Sequence, residues 1–242
     1  MWAPCRAAHA CRTAPASTAA KAAAGAPGRA LRCPEGGRDA WERDGFEVLA
    51  ECQFAPGVSA ERVWDAVMWD PAFQADVRAA FGDVDVVVAA WNDGAAGGGY
   101  GTAEGSEPGP GSRRRTCTFR TPIHEPLCPA YGWVTEAWVA STSDGRGASF
   151  VAAAVATTEG VPFGDLFDVE TRFAMDEEGS AVRLTILHRS NVHRMTLKFR
   201  PFVRRMRASS RREARRAARA YLAVLASRSG LRPVSSLVMN GP

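Results

Sequence analysis

The sequence predicts an α+β domain in which a curved antiparallel sheet of about six to seven strands grips a long C-terminal helix. Between residues 113 and 198, segments with strand character follow one another across short turns, as antiparallel hairpins do. From Pro201 onward the apolar residues change to helical spacing and continue to Leu225. A sheet packed on one helix in this way can leave a cavity between the concave face and the helix.

The first elements are one strand and two short helices. Residues 46–54 alternate apolar and polar side chains, which is the period of a strand with one buried face. Ser59 is a suitable N-cap for a helix whose apolar residues form one stripe. Asp70-Pro71 ends that helix, and a second helix follows with Phe73, Val77 and Phe81 on one side.

The remaining strands are predicted from their Val, Thr and aromatic content. They are residues 83–91, 113–121, 131–141, 149–158, 167–175 and 181 to about 198. Residues 92–112 are rich in Gly, Pro and Ser and are predicted to be a flexible insertion. The GGGYG sequence at residues 97–101 is not followed by a helix start, so it does not indicate a nucleotide site.

Both ends of the chain differ in composition from the middle. Residues 1–44 are predicted to be a disordered Ala/Arg-rich tail, residues 45–228 the folded domain, and residues 229–242 a second tail. Residues 1–34 contain no acid, which fits an organelle-targeting transit peptide or a plain Ala-rich tail; composition leaves both open. No run of 18 apolar residues occurs, so no transmembrane segment is expected in this chain.

Charge is divided unevenly along the chain. Residues 1–193 hold 25 acids and 17 bases, whereas residues 194–242 hold 13 bases and one acid, Glu213. Such a basic helix indicates an anionic partner, either lipid headgroups or nucleic acid. Aromatic residues for base stacking are sparse there, so a nucleic-acid or protein-binding module is kept as the alternative and nucleic acid is disfavoured.

No catalytic or metal-binding arrangement is indicated. His124, His188 and His193 have no serine or cysteine partner at a recognisable spacing, and Glu125 and Glu136 do not form a convincing acid pair. The six cysteines include no CxxC pair, which argues against a zinc site. The sequence therefore predicts a protein that is not an enzyme, with no cofactor and no metal.

The stretch EGVPFGDLF, residues 159–167, combines turn residues with large apolar ones. Gly164 is expected to adopt a positive φ, because glycine tolerates that conformation and larger residues resist it. The apolar residues either face a ligand or lie beneath a lid; the alternative is that the turn closes one end of a core. Both interpretations remain open from the sequence.

These motifs resemble the VASt domain family, a relative of the StAR-related lipid-transfer fold, and in particular its plant-type branch. The resemblance covers about residues 45–228. Its motifs are RTCTFR (115–120), LCPAYGWVTEAW (127–138), GVPFGDLFDV (160–169) and RRMRASSRRE (204–213).

The resemblance implies a START-like helix-grip fold that takes a sterol or other lipid into a hydrophobic cavity and transfers it between membranes. It implies a cytoplasmic protein peripheral to membranes, including membrane contact sites. The lid would be Pro122 to Pro129, and lid and cavity together would involve Ile123, Leu127, Cys128, Pro129, Val161, Pro162, Phe163, Gly164 and Phe167.

One departure from the family pattern concerns the lid. The sterol-transferring branch often has Gly-Pro-Lys where this chain has Cys128-Pro129-Ala130. Because that lysine is missing, docking to an anionic membrane is expected to use apolar lid residues and the basic helix. The predicted docking cations are Lys198, Arg200, Arg204, Arg205, Arg207, Arg211 and Arg212.

Overall fold

The computed structural model describes residues 37–93, 113–124, 128–142, 150–179, 181–228, 231 and 233–238. The helices are α1 (Gly37–Arg43), α2 (Ala60–Trp64), α3 (Pro71–Phe81) and α4 (Arg200–Ser227), with a π-helical turn at Asp65–Trp69 after α2. The strands are β1 (Glu47–Phe54), β2 (Val84–Val88), β3 (Asn92–Asp93), β4 (Arg113–Pro122), β5 (Tyr131–Thr142), β6 (Phe150–Glu159), β7 (Phe167–Glu178), β8 (Ala181–Val192) and β9 (Pro233–Val238).

The strands form one antiparallel sheet in the order β2-β4-β5-β6-β7-β8-β1-β9, with β3 beside β4. Strands β4 to β8 are consecutive hairpins, and β1 joins this meander between β8 and β9. The predicted helix-grip class is confirmed. The strands beyond the predicted number are the two-residue β3 and the C-terminal β9.

The short helices before β2 begin and end at capping residues. The Ser59 side chain accepts a hydrogen bond from the amide of Arg62 at the start of α2. Asp70 is extended and accepts from the amide of Ala72, so it starts α3 directly before Pro71. Gly82, with a φ of 95°, ends α3 in the left-handed conformation that glycine adopts most readily.

Helices α3 and α4 cover the inner face of the sheet. Helix α4 packs along β8, β1 and β9 and against α3. The Tyr221 ring lies between Phe73 of α3 and Phe173 of β7, with ring centroids 5.7 and 4.8 Å apart. The long helix is therefore fixed to both the sheet and α3 through its C-terminal half.

The folded domain is longer at both ends than predicted. Residues 37–43 are helical, and Trp41 is buried with Phe46 and Leu187 on the outer face of the sheet. Residues 233–238 pair with β1 as an edge strand. The boundary predicted at residue 44 is wrong, because the Ala/Arg-rich composition indicated a tail although Trp41 within it is buried. The tail predicted from residue 229 is wrong because six of its residues form a strand.

Candidate functional site

The inner face of the sheet is densely packed at one end and partly open at the other. Phe150 and Met175 are paired across β6 and β7 and are both buried. Ala156, Thr158 and Val169 lie further along the same face, because residues two apart in a strand share a face. All three are only half-buried. The inner face is therefore less completely covered at this end than at the other.

A buried ion pair lies beside this half-buried face. Glu136 is directly opposite Ala156 in the sheet, and Arg78 Nη2 of α3 is 2.6 Å from both of its carboxylate oxygens. Trp138 Nε1 donates to the same carboxylate over 3.0 Å. Asp83 is 3.4 Å from the Arg78 guanidinium, which also lies 4.1 Å from the centre of the Phe119 ring. Glu136 therefore balances a charge that α3 brings into the interior.

Burial and charge shift the pKa values in opposite directions in this cluster. Burial alone lowers the pKa of Arg78, but Glu136 together with Tyr221, Cys117 and Asp83 more than offsets this, and the net pKa is raised. Burial raises the pKa of Asp83, and Arg78 opposes that rise. Burial also raises the pKa of Tyr221, whose hydroxyl donates to Gln74 Oε1 over 2.7 Å. Arg78 thus remains charged in the folded protein.

Arg115, the first residue of the RTCTFR motif, links β4 to the π-helical turn. Its guanidinium lies 4.3 and 5.1 Å from the ring centres of Trp91 and Trp138 and donates to the Met68 carbonyl over 3.1 Å. Burial lowers the pKa of Arg115. The aromatic rings compensate for part of the lost hydration, so this arginine holds the packed end together.

The base of the predicted lid is closed by a backbone hydrogen bond. The amide of Ile123 donates to the Ala130 carbonyl over 2.9 Å. A Cβ placed on Gly132 would lie 2.8 Å from Ile123 Cδ1 and 3.2 Å from Val161 Cγ1. The lid base and the 159–167 turn therefore meet over this glycine.

The other lid residues contribute less to this contact. Cys128 is half-buried with a free thiol, and Pro129 is exposed. Leu127, predicted as a cavity cover, lies outside the described residues. Pro162 is exposed, whereas Phe167 is half-buried at the start of β7.

The apolar side chains of the turn also pack against the start of α4. The Phe163 ring centroid is 5.1 Å from that of Phe199 and 5.5 Å from that of Phe202. Phe163 itself has a φ of 64°, a strained conformation for a large side chain. The turn thus connects the lid base to the long helix.

The prediction of a positive φ at Gly164 is wrong; Gly160 and Phe163 have the positive angles, 77° and 64°. Glycine is needed at position 164 for a different reason. A Cβ there would lie 2.4 Å from the Thr158 carbonyl oxygen and 2.9 Å from Val161 Cγ2. The turn therefore folds back onto the end of β6 at a separation that only glycine permits.

Of the seven predicted docking cations, Arg205 is exposed, and the other six fall into two groups. Arg211 and Arg212 approach carboxylates: Arg211 is 2.5 Å from Glu47, and Arg212 is 3.8 Å from Glu213. Within the described part of the chain, Lys198, Arg200, Arg204 and Arg207 are exposed and form no ion pair. The unpaired cations therefore concentrate at the N-terminal end of α4, the end that contacts Phe163.

His188 has partners that sequence spacing did not indicate. Its Nε2 lies 3.3 Å from the hydroxyls of Ser190 on β8 and Ser210 on α4, so the expectation that it lacks a serine partner is wrong. Burial, then the charges of Arg211 and Arg215, lower its pKa to about 4. Its Nδ1 has no hydrogen-bond partner, so no carboxylate orients the ring as in a catalytic triad. The cluster joins α4 to the sheet.

An open groove of about 470 Å³ lies near this cluster. Its lining is largely polar and is formed by Glu42, Gly45, Phe46, Glu47, His188, Arg189, Ser190, Asn191, Arg207 and Arg211. A lipid chamber needs mostly apolar walls, so this groove is not the candidate lipid site.

None of the helices among the described residues has both the length and the hydropathy to cross a membrane.

The comparison with curated proteins gave no match. Two solved structures show low overall similarity. The protein TTHA0849 from Thermus thermophilus is 12% identical with a TM-score of 0.38, over 76% of this chain and 100% of that chain. Norcoclaurine synthase from Thalictrum flavum is 10% identical with a TM-score of 0.31, over 72% and 86%.

The model of one protein family matches residues 49–193, which include the lid hairpin and the 159–167 turn. It describes the VAD1 analog of StAR-related lipid transfer domain, VASt. Since the match spans more than half of the sequence, the chain belongs to the VASt family of lipid-binding domains.

Proposed function

We propose that this protein binds a sterol-sized lipid in the open end of its interior and exchanges it with anionic membranes. The observation that carries the proposal is the half-buried inner face formed by Ala156, Thr158 and Val169. Its sheet wall is mainly small and apolar, and the charged groups beside it belong to the Arg78–Glu136 cluster; lipid sites usually combine apolar walls with a few polar groups. The lid base at Ile123 and the turn at Phe163 lie at the same end and supply its entrance.

The Arg78–Glu136 pair gives this space a polar end. A mostly apolar lipid with one polar group would place its apolar body along Ala156 and Val169. Its polar group would then lie towards the buried ion pair, where donors and acceptors are concentrated. A lipid with several charges would fit worse, because the sheet wall offers it few partners.

Exchange requires the entrance to approach a bilayer. The unpaired cations Lys198, Arg200, Arg204 and Arg207 lie at the end of α4 that contacts the turn. Each cation near an anionic surface contributes about 1 kcal/mol, so a few give reversible docking. We therefore propose a peripheral protein that associates with the cytoplasmic surface of membranes, including contact sites, and moves lipid between them.

Titration with a fluorescent sterol, followed by competition with unlabelled sterol, tests the lipid proposal. Phe163→Asp should weaken binding at least about tenfold, because a charge placed against the Phe199 and Phe202 rings at the entrance carries a large desolvation penalty. Val87→Asp is the matched control, since Val87 is 63% exposed on the edge strand β2 and should leave binding unchanged. Absence of saturable binding, together with no lipid extractable from the purified protein, would refute the proposal.

A further inference from the structure

The segment between β8 and α4 exposes an unusual amount of apolar surface. Met195 is 54% exposed, Leu197 89% and Phe202 49%. Scattered apolar residues on a surface are ordinary, but three large ones within eight positions form a local patch. We call residues 194–202 the entrance segment.

The exposure of Leu197 follows from a fixed turn. The Thr196 carbonyl accepts hydrogen bonds from the amides of Phe199, over 3.1 Å, and Arg200, over 2.9 Å. The Thr196 hydroxyl also accepts from the Phe199 amide over 3.1 Å. Phe199 is buried and anchors the turn, so Leu197 is held on its outer side.

The entrance segment is attached to the 159–167 turn at both of its ends. At the first, the amide of His193 donates to the Leu166 carbonyl over 2.9 Å, and His193 Nε2 lies 2.7 Å from Asp168. At the second, Phe163 contacts the rings of Phe199 and Phe202. The exposed apolar patch therefore adjoins the proposed entrance to the lipid space.

Charge around the patch identifies its partner. Residues 194–212 contain no acid. The neighbouring turn contributes two acids, Glu159 and the exposed Asp165, which are outnumbered by the cations of the entrance segment and the first two turns of α4. These cations are Arg194, Lys198, Arg200, Arg204 and Arg205. Apolar side chains surrounded by cations complement the interface of an anionic bilayer, where apolar groups are buried and headgroups are negative.

We infer that the entrance segment inserts Met195, Leu197 and Phe202 into the interface of an anionic bilayer and so places the lipid entrance against the membrane. This rests on the proposed function and specifies the element that performs docking. Arg211 and Arg212, which approach carboxylates within the protein, contribute little to it.

Co-sedimentation with phosphatidylcholine vesicles, with and without phosphatidylserine, tests the insertion. Leu197→Ser should reduce partitioning onto phosphatidylserine-containing vesicles by roughly tenfold, since a fully buried leucine contributes that much or more. The matched controls Val87→Ser and Val234→Ser change exposed apolar residues elsewhere and should partition as wild type. Leu197→Trp should retain binding, because tryptophan favours the membrane interface.

A second set of variants tests whether docking depends on the cations of the entrance segment and the start of α4. Changing Lys198, Arg200 and Arg204 to Gln should abolish the dependence on phosphatidylserine. The control changes three exposed arginines elsewhere, Arg62, Arg114 and Arg219, to Gln and has the same net charge as the first variant. Because docking depends on position as well as charge, the control should partition nearly as wild type.

Equal partitioning of Leu197→Ser and wild type would overturn the inference, as would equal loss in the two charge variants. Loss of a dimer on Leu197→Ser, seen by light scattering, would also overturn it in favour of a second copy of this chain. Sterol titration without vesicles separates the two proposals. Leu197→Ser should bind sterol as wild type does, whereas a wild type that docks but binds no sterol would refute the lipid proposal alone.

Discussion

Glu136→Gln removes a buried negative charge while nearly preserving the volume of the side chain. In the wild type, Arg78 Nη2 lies 2.6 Å from both carboxylate oxygens, and the two side chains are 9% and 10% exposed. After the change, Arg78 retains Asp83 at 3.4 Å and the Phe119 ring at 4.1 Å. The substitution therefore leaves a buried guanidinium with about half of its nearby negative charge.

The expected loss in the free energy of unfolding is about 3 kcal/mol. Removing one partner of a buried ion pair typically costs about 3–5 kcal/mol, because the remaining charge stays desolvated. Asp83 offsets part of this cost, and the glutamine oxygen can still accept from Trp138, so the lower end of the range applies. Replacing both partners by apolar residues of similar size, as in Arg78→Met with Glu136→Leu, should recover part of this loss, although Asp83 then loses Arg78 as its partner.

Urea denaturation followed by circular dichroism measures these differences. Glu61→Gln serves as the control, because Glu61 is exposed in the first turn of α2 and its loss should cost at most about 0.5 kcal/mol. The reasoning is refuted if Glu136→Gln is as stable as wild type. It is refuted equally if the double variant is no more stable than the single one.

Two further predictions concern backbone approach and protonation. Gly164→Ala should lower the free energy of unfolding by about 1–3 kcal/mol, because its Cβ meets the Thr158 carbonyl. The control Gly57→Ala, with open space and a φ of 91°, should lower it by about 1 kcal/mol. Equal losses for the two variants in urea denaturation would contradict the contact argument. The pKa of His188 is lowered from 6.5 to about 4, so the unfolded chain takes up this proton first and stability should fall as the pH drops through that window, by up to about 3 kcal/mol. His188→Gln should flatten this part of the profile of unfolding free energy against pH, and an unchanged profile would contradict the assignment.

The order of the elements could be predicted because it follows from local sequence patterns, which do not depend on contacts with remote residues. Alternation in residues 46–54 predicted β1, and Asp70-Pro71 correctly separated the helical turns from α3. The position of β9 was missed because an edge strand is defined by its pairing with β1, which is remote in sequence. Short terminal strands carry little periodicity, so composition classified this one as a tail.

The buried charges are visible in the sequence as polar residues at inward positions of α3 and β5. Arg78 lies on the apolar stripe of α3 with Val77 and Phe81. Glu136 occupies an inward position of β5 between Val134 and Trp138. A polar residue at an inward position signals a buried partner, but the sequence does not identify it. The two residues that meet here are 58 positions apart, so their pairing required the fold.

In the apolar turn at residues 159–167, the residues of the family motif are required by contacts within the protein and not by the identity of the lipid. Gly164 is set by the Thr158 carbonyl, and Phe163 by its contacts with Phe199 and Phe202. These constraints come from joining the lid base to α4, and they would hold for any lipid that uses this entrance. Selection among lipids should therefore depend on the half-buried wall, where Ala156 lies outside the motifs and Val169 is the last residue of the motif at 160–169. Changes there should alter which lipid is preferred, while changes in the turn should affect binding of every lipid alike.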